Sequence, residues 1–192
     1  MPGFLIAFVR GVEWVNIRVG RAAMWLLFAL AGVLLWSVLM KSLFSLLRML
    51  SNTPGWEWLF EIINRSWFQP PLWTQEMAQY TMVGYFVLGG AYSLILGSNV
   101  RMDLLYARWS TRKQAAVDSV TVLGLIIFLG VLLWGGIDST IYALEVGERS
   151  RTAWRPYMAP IKIVICIGTF LMLLQSLAFL IRDIATLRGV KI

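Results

Sequence analysis

The chain of 192 residues contains no histidine. That absence removes bis-histidine haem ligation, histidine-bound metal centres and the ordinary Ser-His and Cys-His nucleophile pairs. Cysteine occurs once, as Cys166 inside an apolar run, so neither an internal disulfide nor a cysteine cluster can form. No P-loop and no dinucleotide fingerprint is present, and Gly89-Gly90 lies in an apolar run without the strand that such motifs require. Charged residues make up only 14% of the chain, below the share of an ordinary soluble domain. These absences predict a non-enzyme with no catalytic, cofactor-binding or metal-ligating residues.

What the sequence has instead is apolar length. Hydrophobic residues reach 59%, and four runs, 22–40, 77–100, 119–137 and 163–181, carry no charge at all. At about 1.5 Å per helical residue, each is long enough for a hydrocarbon core of about 30 Å. An uncovered peptide group costs several kcal/mol in lipid, so a run of this length suits a helix, whereas barrel strands would be about ten alternating residues. The expected fold is an all-α integral membrane protein with four transmembrane helices. What remains between the spans is too short for a soluble domain of ordinary size, so 1–192 reads as a single membrane domain without internal repeats. Among ten tryptophans, Trp25, Trp36, Trp73, Trp109 and Trp134 fall at or near run ends, where indole rings anchor to headgroups.

The net charge of +7 does not imply nucleic acid, because the basic residues stand at span ends rather than among stacking aromatics. With the N-terminus cytoplasmic, that side holds Arg10, Arg18, Arg21, Arg101, Arg108, Arg112, Lys113, Arg182, Arg188 and Lys191, ten of the seventeen basic residues. The positive-inside rule therefore places both termini in the cytoplasm. No cleavable signal pattern precedes the first run. At 100° per residue, Phe4, Leu5, Phe8, Val12, Val15 and Val19 gather on one face, with Arg10, Glu13 and Arg21 opposite. Segment 4–19 is accordingly predicted to lie in the membrane interface, the alternative being a cytoplasmic extension of the first span.

The first external connection, 41–75, is long and carries Trp56, Trp58, Phe60, Trp67 and Phe68. Thr53 and Pro54 supply a cap and a first-turn residue for a second interfacial helix over 54–66. Such a helix either rests on the membrane surface or offers a platform to an external protein. None of the four runs places an ionisable group near the midplane, where a carrier working alone would be expected to have one. Gln175, deepest in the fourth run, reads as interhelical glue rather than as a transport ligand. Gly89, Ser93 and Gly97, with Gly90 alongside, form a small-residue stripe for close helix approach, either within this subunit or to another.

Several stretches together resemble the small membrane subunit of tripartite ATP-independent periplasmic (TRAP) transporters, the DctQ-like family. They are Trp73-Thr74-Gln75-Glu76, Gly89-Gly90-Ala91 and Gly97-Ser98-Asn99-Val100-Arg101-Met102-Asp103, followed by Trp154-Arg155-Pro156-Tyr157, Pro160-Ile161-Lys162 and Leu173-Leu174-Gln175. Asn99 stands where a histidine is frequent in that family, and the 41–75 connection is longer than in its shortest members. The resemblance implies an auxiliary subunit of the bacterial inner membrane, bound to a large multispanning subunit that carries the substrate and ion sites. An extracytoplasmic binding protein would deliver the solute, by default an organic acid anion.

On this footing Trp73 and Glu76 are expected at the external mouth of the second span, and Arg101 and Asp103 at its cytoplasmic end. Glu145, Glu148, Arg149, Arg151 and Arg155 make a mixed-charge external loop that either docks the binding protein or is simply solvated. Two other classes stay open at this point: a membrane anchor of a different complex, and a small autonomous carrier.

Overall fold

The computed structural model describes residues 3–51, 71–96 and 111–187. These form four helices: α1 (Gly3–Ser51), α2 (Trp73–Ile95), α3 (Thr111–Val146) and α4 (Ala159–Leu187). Helices α1, α3 and α4 are long and apolar enough to cross a membrane. The shorter α2 packs between α1 and α4. The chain is an all-α, multi-pass membrane protein.

Neighbouring contacts fix the directions. Ser37 meets Thr74 at the start of α2 and Gly20 meets Tyr92 near its end, so the pair is antiparallel. Helices α2 and α4 run side by side in the same direction, since Gly84 faces Val164 and Gly90 faces Met172. Helix α3 packs chiefly on α4, antiparallel, through Gly136–Cys166 and Ser139–Lys162. The central element is α4, which touches all three others.

Burial follows the rule for a lipid solvent. The inside is built from small residues, among them Ala23, Ala78, Ala91, Ala143, Ala178 and Ala185, while Trp25, Phe28, Val131 and Trp134 point outward. Lipid tails are as apolar as leucine, so burying large side chains gains little, and helices associate by close backbone approach. Gly168 shows the limit of this: a Cβ there would lie 2.8 Å from the Val87 carbonyl oxygen. Hydroxyls inside the helices bond to their own backbone four residues back, as Thr140 does to Gly136 O at 2.7 Å and Ser176 to Met172 O at 2.9 Å. That bond lets a polar side chain sit in an apolar helix.

Segment 4–19, expected as an interfacial helix, is the beginning of an unbroken α1 of 49 residues. At about 1.5 Å per residue, α1 is about 73 Å long, more than twice a hydrocarbon core. Part of the apolar face assigned to lipid turns inward instead. Val9 and Val12 pack with Ala178, and Phe8, Leu174 and Ile181 close around them. The predicted interfacial helix 54–66 and the end of the second run, 97–100, lie outside the described residues.

Candidate functional site

Two regions gather the residues singled out by the sequence. The first is the connection between α3 and α4. Helix α3 closes at Gly147, whose φ of 63° a side-chain-bearing residue adopts only at a cost. Glu148 N then donates to Ala143 O at 3.0 Å, the six-to-one bond of a Schellman end. Beyond it the chain doubles back as a narrow hairpin. Ser150 N donates to Pro156 O at 2.9 Å and Met158 N to Glu148 O at 3.0 Å, with Arg149 bridged to Tyr157. At the tip, Arg155 N donates to Thr152 O at 3.2 Å while Arg155 takes a left-handed φ of 51°.

Charges in this hairpin divide into two groups. Glu148 forms an ion pair with Lys162, which also donates to Ser139 O at 3.3 Å. Arg149 donates to the Tyr157 hydroxyl and lies 4.2 Å from that ring's centre. Both therefore frame the loop. Tyr80 of α2 fastens it from the side, donating within 3.3 Å of Tyr157 O and 3.4 Å of Met158 Sδ. Glu145, Arg151 and Arg155 are exposed, and none of the three forms an ion pair among the described residues. Trp154 stands between the two arginines, partly exposed.

The second region is the membrane-embedded contact of α1, α2 and α4. Gln175 is fully buried and accepts a hydrogen bond from Asn16 Nδ2 at 2.8 Å, tying α4 to α1. Asn16 Oδ1 and Gln175 Nε2, an acceptor and a donor, are left without partners among the described residues. Farther toward the chain ends, Arg182 pairs with Glu13 at 2.7 Å. Asn16 was not singled out by the sequence reading, although a signal exists. It is a lone amide on the face that carries Val9 and Val12, just as Gln175 is a lone amide in the fourth run.

The small-residue stripe splits. A Cβ on Gly90 would meet Met172 Sδ at 2.8 Å, so Gly90 packs inside the subunit. A Cβ on Gly89 would meet nothing within 4 Å. Gly89 and Ser93 instead line an open groove of about 430 Å³ between α1 and α2, walled by Tyr85, Phe86 and Tyr92 and floored by Gly20 and Ala23. Gly97 lies outside the described residues. So do Arg101 and Asp103.

At the other end of α2, Trp73 is exposed and opens the helix, and Glu76 is buried in its first turn. Glu76 Oε2 has no hydrogen-bond partner among the described residues. The Thr74 hydroxyl, buried beside it, lies 3.1 Å from Ser37 Oγ and 3.0 Å from Pro71 O.

The long apolar helices α1, α3 and α4 place the chain among multi-pass membrane proteins. The model of the DctQ component of tripartite ATP-independent periplasmic transporters matches residues 58–186, and the chain belongs to that family. It is a transporter component rather than an enzyme family. No curated protein and no solved structure gives a significant match.

Proposed function

We propose that this chain is the small permease subunit of a TRAP-type secondary transporter in the bacterial inner membrane, with both termini cytoplasmic. It braces a large, ion-coupled multispanning subunit for uptake of an organic acid delivered by an extracytoplasmic binding protein. The carrying observation is the family match over 58–186. The surface that the subunit leaves open supports it. The Gly89–Ser93 groove, small-floored and aromatic-walled, suits a helix of the large subunit, which could approach the α2 backbone closely there.

At the external end, Arg151 and Arg155 are the candidates for docking the binding protein, with Glu145 beside them. Exposed charges with no ion-pair partner among the described residues steer an encounter, whereas Glu148 and Arg149 are committed to holding the hairpin. The test is mild-detergent copurification of the tagged full chain. A single large multispanning membrane companion is expected; a soluble enzyme as the main companion would assign the chain to an anchor instead.

A further inference from the structure

Helix α1 carries a cationic and aromatic row on the side it turns away from the bundle. At 3.6 residues per turn, positions 10, 14, 18, 21 and 25 fall within about 80° of one another. They hold Arg10, Trp14, Arg18, Arg21 and Trp25, all exposed. The Arg18 guanidinium lies 4.0 Å from the centre of the Trp14 ring. None of the three arginines forms an ion pair among the described residues, and Glu13 of the same helix is held by Arg182. Three positive charges thus share one face with no ion-pair partner among the described residues. Toward the membrane interior the same face continues as Phe28, Leu35 and Leu39, again exposed.

We propose that this row binds the phosphate headgroups of anionic phospholipids in the leaflet on the N-terminal side. One lipid molecule matches both parts of the face, its acyl chains against Phe28 and Leu35 and its phosphate at Arg18 and Arg21. A guanidinium offers a planar fork of donors that suits phosphate oxygens, and indoles settle at headgroup depth. Charge complementarity and continuity with the apolar face select lipid over a protein partner. The proposal needs only that α1 stands in a bilayer, and it is independent of the transporter assignment.

The experiment is native mass spectrometry of the full chain released from nanodiscs of phosphatidylethanolamine and phosphatidylglycerol at 4:1, as about one anionic lipid in five, reading the ratio of the two lipids retained. Wild type is expected to retain phosphatidylglycerol above its bulk share. Enrichment should fall with each arginine replaced, by up to about fivefold per charge, and reach the bulk ratio in Arg10→Gln/Arg18→Gln/Arg21→Gln. The corresponding lysine variant should keep most of it, and Arg151→Gln/Arg155→Gln all of it. If the triple glutamine variant does not fold, the single variants decide by the same ratio. Enrichment undiminished in the glutamine variants overturns the proposal. So does an unchanged lipid ratio accompanied by loss of a copurifying protein, which would give the row to a protein partner.

Discussion

Helices α3 and α4 are equally at home in a membrane by their apolar character, yet they occupy opposite positions in the subunit. The most apolar stretch of α4 is 28% buried and that of α3 only 6%. What separates them is where small and polar residues meet a neighbour. Helix α4 sets Gly168 against the Val87 backbone and Gln175 against Asn16. In α3, Gly124, Gly130 and Gly135 face open space, and Trp134 projects outward, 80% exposed. Hydropathy decides that a helix enters lipid; close backbone approach and paired amides decide which helix becomes the centre.

The comparison breaks most visibly at glycine. Gly168→Leu should destabilise the bundle by about 3 kcal/mol or more, because the new side chain runs into backbone that cannot rotate away. Gly130→Leu in α3 should stay within about 0.5 kcal/mol. Reversible unfolding of the full chain in mild detergent measures both, and equal effects would dissolve the distinction between centre and edge. Next in size is the amide pair. Gln175→Leu is expected to cost about 1–2 kcal/mol, the worth of an interhelical side-chain bond plus a stranded Asn16. A double-mutant cycle with Asn16→Leu should show coupling, and strict additivity would mean that the bond contributes nothing.

Smaller again is the ion pair of the hairpin between α3 and α4. Lys162→Gln should cost about 0.5–1 kcal/mol, since Glu148 is partly exposed and salt screens the pair. Faster hydrogen exchange at the Ser150 and Met158 amides is the local readout, and unchanged protection would show that the backbone alone holds the loop. Smallest in its effect on folding is Gly89→Leu. Its unfolding should match wild type while the large companion is lost on copurification. Retention of the companion would remove the groove from the assembly surface.

Much of the fold was legible because lipid enforces a simple rule. Charge-free runs of sufficient length had to be helices, and the cores of all four helices lie where those runs are. The helix ends were not legible in the same way. Helix α1 continues unbroken from Gly3 to Ser51, since nothing between Arg10 and Arg21 interrupts it and α4 supplies a surface for Val9 and Val12. Periodicity found the two faces of that segment but not which of them would meet protein.

The candidate site was legible by type more than by partner. The stripe at Gly89 and Gly90 was visible as a stripe, yet neighbouring glycines on one helix point to different surroundings, and only packing tells them apart. The charged loop was visible as charge, but the commitment of Glu148 to Lys162 and of Arg149 to Tyr157 depends on the hairpin that follows the helix end at Gly147. Gly20 and Gly168, which set the closest helix approaches, carry no motif. They matter because Tyr92 and Val87 happen to lie opposite.

The central claim, that this subunit braces a carrier and does not itself carry, is tested most directly by uptake into proteoliposomes. Three preparations are compared with binding protein supplied outside: this chain alone, its copurifying membrane companion alone, and the two together. The account predicts solute accumulation with both and none with this chain alone. Accumulation in vesicles holding only this chain would contradict it.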